Sequence, residues 1–411
     1  MPMTKRRITI LTGLFILLAV GLSGCTTFDS FKEAFIDDKG ASTDTINIGV
    51  YEPMVGADKE AALPEIQGIK LAHKLHPRLA GKKVNLIYAD NNSDIDAAET
   101  AISTLITKDP AVILGSYGNL YSLMAGEYIE KARIPAIAMT NTNPLVTRNN
   151  DYYFRICYID ATQGRLLANY LDSIDVESVG VLLPKEDDAA MAMATAFTNA
   201  FEEITGKNDA TGFYEEYTTG QLDFTEQLTI LKDSEVDHVL LPGDNPDSIS
   251  IINQAAEMGL DVTFLGNMSW GEEDFRKGLA KGVDPGHLAF VQFFATDGDD
   301  EPYVVSEARQ NFLDAYYKEY GSDQDPDEAV ALGYDAYMMA LDAIEKATAG
   351  QDKIADGTTI CNLLLDDGYQ FEGASGTIQF NKSGDPKKTA YISTWAGNTV
   401  KAIYTIEADQ Q

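Results

Sequence analysis

From Thr45 onward, short runs rich in β-branched residues alternate with amphipathic stretches of helical period. The first block predicts strands at 46–51, 84–88, 111–115 and 134–139, with helices at 65–76, 94–107 and 122–132. The pattern then restarts, with strands at 178–183, 236–241, 262–265 and 288–293 and helices at 189–205, 225–232 and 248–258. Apolar strands that alternate with helices indicate mainly parallel sheets covered on both faces. The predicted fold class is therefore α/β.

The restart of the pattern predicts two lobes, because 411 residues exceed one ordinary domain. In open α/β sheets, ligands bind beyond the carboxyl ends of the strands. Those ends are mostly polar or glycine-rich, at 51–53, 115–119, 139–143, 183–188, 242–245 and 266–270. The sequence thus predicts a ligand-binding cleft between the two lobes.

The first 25 residues have the pattern of an export signal. A basic segment of Lys5, Arg6 and Arg7 precedes an apolar stretch at 8–22, which is short for a membrane-spanning helix. Small residues then precede Cys25, and this segment resembles a bacterial lipobox. The resemblance implies a signal peptide at 1–24, cleavage before Cys25 and lipidation of its sulfur, which would anchor the protein to the membrane.

The polar stretch at 25–44 is predicted to tether the folded part to that anchor. Lipid anchoring favours the outer face of a Gram-positive membrane, or the periplasmic side of a Gram-negative one. The alternatives are an ordinary signal peptide with an incidental cysteine and a short membrane anchor.

Composition argues against several classes of function. The formal net charge of −33 repels nucleic acid and anionic lipid headgroups, so no nucleic-acid partner is expected. No Cys/His cluster or His-Glu-x-x-His spacing occurs, and no metal or cofactor is expected. No P-loop, nucleophile elbow or dinucleotide fingerprint follows a strand, which argues against an enzyme. Cys157 and Cys361 fit either one disulfide or two buried thiols.

Short motifs along the body of the chain occur in the same order as in a known family. They lie at 46–50 with Pro53 and Gly56; 113–116; Ile134-Pro135 with 142–144; Phe154-Arg155 with Gln163-Gly164; Gly259-Leu260 with 264–266 and Trp270; and 371–373 with Gly376 and 380–385. In this ordered set the chain resembles the leucine/isoleucine/valine-binding family, the branched-chain amino-acid class of type I periplasmic solute-binding proteins.

The resemblance implies a small-molecule ligand and a partnership with the permease subunits of an ABC transporter. It also implies two α/β lobes hinged by three crossings, which we place near Ile159, Phe293 and Asn381. The first lobe would then contain residues 45–159 and 293–381, and the second lobe residues 160–292 and 382–411. A sensor of the same fold, which signals rather than transports, remains the alternative.

In the family, the loops after the third and fourth strands bind the ligand carboxylate through backbone N–H groups and hydroxyls. A helix N-terminus offers such N–H donors and a positive dipole end. The matching positions here are Ser116, Tyr117, Gly118, Asn119, Thr140, Asn141 and Thr142. Asn119 and Thr142 can each donate a hydrogen bond, although capping of a helix would use the same geometry.

The amine side of the expected site departs from the family. The usual acidic residue falls on Met268, and two family tyrosines fall near Asp188 and Asp244. We expect Asp244 or Asp188 to bind a ligand amine, and the alternative is that both are solvated rim residues. Trp270 and Tyr117 are predicted either to pack on the ligand or to form lobe wall. The ligand class stays open between amino acids and other small polar carboxylates.

Overall fold

A computed structural model describes residues 45–208, 210–298, 305–322, 325–351 and 353–407. The predicted signal peptide at 1–24, the lipidated Cys25 and the tether at 25–44 lie outside the described residues. Within these ranges, no helix combines the length and the apolar character that crossing a bilayer requires.

Strands and helices alternate along most of the chain. The strands are β1 (Thr45–Glu52), β2 (Arg78–Leu79), β3 (Lys82–Asp90), β4 (Val112–Gly115), β5 (Ala136–Ala138), β6 (Tyr153–Arg155), β7 (Val179–Pro184), β8 (Thr211–Tyr217), β9 (His238–Leu240), β10 (Thr263–Gly266), β11 (Leu288–Gln292), β12 (Asp297–Gly298), β13 (Phe371–Gly373), β14 (Gly376–Phe380), β15 (Pro386–Lys388), β16 (Ala390–Ala396) and β17 (Thr399–Ile406).

The helices are α1 (Lys59–Leu75), α2 (Ile95–Ile106), α3 (Asn119–Ala132), α4 (Asp160–Ser173), α5 (Asp188–Thr205), α6 (Thr225–Ser234), α7 (Asn245–Glu257), α8 (Glu273–Gly278), α9 (Glu307–Tyr320), α10 (Glu328–Thr348) and α11 (Gly357–Leu364). Several begin at a residue whose side chain accepts a backbone N–H. Asp94, for example, accepts from the Ala97 N–H at 2.9 Å and so starts α2.

Two large sheets organise the molecule. The first has the order β2-β3-β1-β4-β5-β6, and β1, β4, β5 and β6 run parallel to their neighbours in that series. The second has the order β12-β17-β16-β11-β10-β9-β7-β8, with parallel pairing from β11 to β8. A small antiparallel sheet, β13-β14-β15, follows late in the chain. The architecture confirms the predicted two-lobed α/β fold.

Buried side chains occupy both faces of each large sheet, as expected for parallel strands between helices. In β4, Ile113 belongs to the apolar cluster under α2 and α3, while its neighbour Leu114 belongs to the cluster that also contains residues of α1 and α10. In β7, Val181 faces the α4 and α5 side, and Leu182 faces the α6 and α7 side. This alternation with period two explains why the strands read as continuous apolar runs.

Segments that pass between the two sheets contact one another. The Tyr158 ring packs edge-on against Phe293 at 5.4 Å between centroids. The Tyr158 hydroxyl donates to the Lys388 carbonyl at 2.6 Å and accepts the Lys388 N–H at 2.7 Å. The third of the expected crossings thus makes its contact with Tyr158 at Lys388, a few residues beyond the predicted position at Asn381. The proposed boundary at 293 also assigns Asp297–Gly298 to the first lobe, whereas β12 pairs with β17 of the second sheet.

Candidate ligand-binding site

Three neighbouring parallel strands of the first sheet end at the same edge. β1 ends at Glu52, β4 leads into Ser116–Asn119, and β5 leads into Thr140–Thr142, as the register of β1 on β4 and of β4 on β5 requires. The structure therefore brings together the two loops to which the family resemblance assigns carboxylate binding, and adds Glu52 to them.

The loop after β4 lies directly against the end of β1. Gly115 has φ +111°, and a Cβ there would lie 2.1 Å from the Tyr51 carbonyl and 2.4 Å from Glu52 Oε1, so only glycine fits. This close approach lets the Tyr117 N–H donate to Glu52 Oε2 at 2.7 Å. Ser116 is fully buried, accepts from Asn91 Nδ2 at 2.8 Å and donates to the Tyr117 carbonyl at 2.9 Å.

The N-terminus of α3 follows immediately. Gly118 occupies the N-cap position, where it has no side chain to accept the first N–H groups of the helix. The Asn119 side chain instead accepts the Asn143 N–H at 3.0 Å, which ties the β4 loop to the β5 loop. The helix thus presents N–H donors without a side-chain cap, next to the second predicted loop.

Each residue of the β5 loop is held in a different way. The Thr140 hydroxyl donates to Glu65 of α1. Asn141 is buried, and its Nδ2 donates to Ser122 Oγ at 3.1 Å. Thr142 hydrogen-bonds the Asp160 side chain, and burial raises the pKa of Asp160 to about 6. Asn119 and Thr142 therefore lie on adjoining loops, and their role in carboxylate binding stays a prediction.

Met268 begins a short 3₁₀ helix after β10 and is held through its backbone. Its N–H donates to Gln163 Oε1 at 3.0 Å, and its carbonyl accepts from Gln292 Nε2 at 2.7 Å. The Trp270 side chain is fully buried and stacks on Phe275 at 4.7 Å between centroids. Of its two predicted roles, this placement favours lobe wall over ligand contact.

Asp188 and Asp244 lie at helix starts. Asp244 is exposed, and its Oδ1 accepts the Asp247 N–H at 3.1 Å as the N-cap of α7. Asp188 is the exposed first residue of α5, which Asp187 caps by accepting from two backbone N–H groups at 2.9 Å. The amine-binding role of Asp188 and Asp244 stays a prediction.

Two carboxyl groups that the sequence analysis did not single out as ligand-binding residues lie at the centre of this edge. Glu52 and Glu65 are both fully buried and hydrogen-bond each other. Burial raises both pKa values, to about 7 for Glu65 and well above the ordinary range for Glu52, where the charge of Glu65 adds to the effect. The sequence offered a signal for Glu52 as a site residue, because it lies at a strand end. It offered none for Glu65, which lies in a predicted helix.

Two cavities are lined by residues other than those of the β4 and β5 loops. One cavity of about 540 Å³ is lined by residues of α1, α9, α10 and β13, and another of about 430 Å³ by residues of β3 and α2. Among the described residues, no group of three His, Cys, Asp or Glu side chains is arranged to hold a metal ion.

Cys157 and Cys361 are buried free thiols and do not form a disulfide. This decides between the two alternatives that the sequence left open for them.

Residues 45–399 match the family model described as periplasmic binding protein. The chain belongs to the periplasmic binding protein family. A curated relative, Leu/Ile/Val-binding protein homolog 2 of Brucella abortus, is 22% identical over 357 residues, covering 86% of this chain and 91% of that protein.

Solved structures agree with this fold. The leucine-binding protein LivK from Thermotoga maritima is 26% identical, with a TM-score of 0.72 over 89% of this chain and 100% of that one. A solute-binding protein of an ABC transporter from Rhodopseudomonas palustris, solved with 3,4-dihydroxybenzoic acid, is 21% identical, with a TM-score of 0.70 over 89% of this chain and 98% of that one. The family is one of binding proteins and not of enzymes.

Proposed function

We propose that the protein is an extracytoplasmic substrate-binding lipoprotein of an ABC importer. It captures an amino acid or a similar small polar carboxylate in the cleft between the lobes and delivers it to the permease. Membership of the periplasmic binding protein family supports export, and the relatives named for leucine, isoleucine and valine support the ligand class. The N-terminal pattern ending at Cys25 supports the lipid anchor.

The observation that carries the ligand class is the uncapped N-terminus of α3 beside the β5 loop. Its N–H groups and positive dipole end favour an anion, and Asn119 and Thr142 add side-chain hydrogen-bonding groups on either side. A carboxylate bound there would accept hydrogen bonds from the backbone and from the Thr142 hydroxyl, which would turn from Asp160 to the ligand.

The test is a binding screen of the full chain against the common amino acids and their carboxylate-only analogues, followed by calorimetry on the best ligand. Thr142→Ala should weaken binding roughly tenfold or more, because a hydrogen bond to a charged group is lost. Thr229→Ala, which changes an exposed threonine of α6, is the matched control and should leave affinity unchanged. Equal affinity of Thr142→Ala and the control would contradict the assigned site.

Transport is tested with the compound that the screen identifies. Cells that lack the protein should take up the radiolabelled compound more slowly, and the full chain should restore the rate. Unchanged uptake in the deleted strain, together with tight binding in solution, would contradict the importer role and favour the sensor alternative.

A further inference from the structure

Glu52 and Glu65 form a buried carboxyl pair, hereafter the carboxyl pair, at the junction of β1 and α1. Glu52 Oε2 accepts the Tyr117 N–H, and Glu65 Oε1 accepts the Thr140 hydroxyl. The other two oxygens, Glu52 Oε1 and Glu65 Oε2, have no donor among the described residues apart from a proton held within the pair. Above the raised pKa of Glu65, about 7, the carboxyl pair shares one proton and carries a single negative charge.

No cation in the part of the chain that the structure describes forms an ion pair that balances this charge. Among the described residues, no Lys, Arg or His side chain forms an ion pair with Glu52 or Glu65. A buried carboxylate without a counter-charge is costly, so a cation supplied from outside would be bound favourably.

The surroundings of the carboxyl pair add to the negative potential. The Tyr117 N–H donates to Glu52, and the pKa of the Tyr117 hydroxyl is raised mainly by burial and then by the charges of Glu272, Glu65, Asp58 and Asp327. Glu272 lies after β10 of the second sheet, so acidic groups face Tyr117 from both lobes. Low-dielectric walls lined by one sign of charge concentrate the opposite ion.

The carboxyl pair and the proposed carboxylate site share the same two loops. Thr140, which donates to Glu65, is separated from Thr142 by the single residue Asn141, and Tyr117 lies just before the N-terminus of α3. A zwitterion could therefore place its anionic end at the α3 N-terminus and its cationic end at the carboxyl pair.

We propose that Glu65, supported by Glu52, binds the ammonium group of the ligand from the first lobe. This inference rests on the proposed function and narrows its ligand class to compounds that carry an amine. It also replaces Asp188 and Asp244 as amine partners, since both are exposed and lie at helix starts. Glu65 would accept the ammonium N–H through Oε2, while Thr140 keeps Oε1 in place.

The test uses the full chain and sets of three related probes. Each set contains an amino acid, the carboxylic acid without the amine and the amine without the carboxylate, for example L-leucine, 4-methylpentanoate and 3-methylbutylamine. For the best-binding set, the wild-type protein should prefer the amino acid over the amine-free acid by roughly tenfold or more. This measurement needs no variant and so does not depend on how a variant folds.

Glu65→Gln keeps the shape and the hydrogen bond from Thr140 but removes the charge. We expect it to weaken amino-acid binding roughly tenfold or more while leaving the affinity for the amine-free acid within about twofold. Glu130→Gln, at an exposed position of α3, makes the same change in net charge and should alter neither affinity. Asp188→Asn and Asp244→Asn should likewise leave both affinities unchanged.

Three results would overturn the inference. Equal binding of the amino acid and the amine-free acid would show that the protein has no ammonium site, while the proposed carboxylate-binding function would stand. Loss of amino-acid binding in Asp188→Asn or Asp244→Asn, with full binding in Glu65→Gln, would move the ammonium site to the second lobe. Binding of no probe by the wild-type protein would overturn this inference and the proposed function together.

Discussion

Arg155 is a fully buried cation that joins the nearby residues Asn141 and Thr147 to the distant Asp385. Its Nε lies 2.7 Å from Asp385 Oδ1, its Nη2 donates to Thr147 Oγ1 at 2.8 Å, and its Nη1 donates to the Asn141 carbonyl at 2.7 Å. The hydrogen bond to the Asn141 carbonyl holds the backbone of the β5 loop in place. The guanidinium therefore links the candidate site to the chain that follows β14.

Arg155→Met should destabilise the protein by about 3–5 kcal/mol, because it breaks the ion pair with Asp385 and removes the hydrogen bonds of the guanidinium to Thr147 and to the Asn141 carbonyl. Urea unfolding followed by circular dichroism measures the change. Arg165→Met, at an exposed position of α4, is the matched control and should stay within about 0.5 kcal/mol of wild type. If the two variants unfold at the same urea concentration, Arg155 has no such role.

At the residue scale, the sequence allowed part of the site to be predicted. Asn119 and Thr142 follow predicted strands, and the rule that parallel strand ends meet at one edge was enough to place them together. Glu65 could not be found in this way, because it lies within a helix pattern where a charged residue usually marks the solvated face. Only the packing of α1 over the strand ends turns its side chain into the interior.

At the scale of elements, α1 and α10 pack with their backbones in contact. A Cβ at Gly68 of α1 would lie 2.0 Å from the Val330 carbonyl oxygen, and a Cβ at Gly333 of α10 would lie 2.2 Å from the Glu65 carbonyl oxygen. Each helix thus depends on the glycine of the other for its close approach. This contact also positions the turn of α1 that carries Glu65.

Gly333→Ala should destabilise the protein by about 1–3 kcal/mol, because the new methyl group forces the two helix backbones apart. The sign of this change in stability is informative, since replacing glycine by alanine within a free helix would stabilise the helix by about 1 kcal/mol. Thermal unfolding measures the effect. Gly282→Ala, where a Cβ meets no atom within 4 Å, serves as control and should leave the midpoint unchanged. A raised midpoint for Gly333→Ala would contradict the close packing.

The predicted strands and helices agree with the structure where the apolar pattern is strong. β8 was missed because it lies at the end of the second sheet and buries few of its side chains, so its sequence carries several charges. α4 was missed because it starts after Ile159 without a side-chain cap. α1 begins at Lys59, earlier than predicted, and contains Pro64 in its interior.

At the scale of the whole molecule, repetition of the strand–helix block was sufficient to predict two lobes. The crossings between the lobes followed only from the family resemblance, because contacts such as Tyr158 with Lys388 join residues more than two hundred positions apart. The burial of particular acidic groups could not be predicted from the sequence either. A net charge of −33 gives no indication of which carboxyl groups lose contact with water.

The buried carboxyl groups predict how stability depends on pH. Burial raises the pKa of Asp160 to about 6, of Glu65 to about 7 and of Glu328 to about 8, each above the value in the unfolded chain. Between about pH 4.5 and pH 8, the folded protein therefore holds more protons than the unfolded chain. The free energy of unfolding must then fall as pH rises through this range, and the stabilisation is complete only below the unfolded pKa values.

We expect the free energy of unfolding of the ligand-free protein to decrease by on the order of 1 kcal/mol per pH unit between pH 5 and pH 8. Urea unfolding at intervals of half a pH unit measures this slope. Glu65→Gln removes one of the titrating groups and should make the slope shallower between pH 5 and pH 7, whereas Glu130→Gln, at an exposed site, should leave it unchanged. A free energy that is constant or rises with pH would show that these carboxyl groups are not protonated in the folded state.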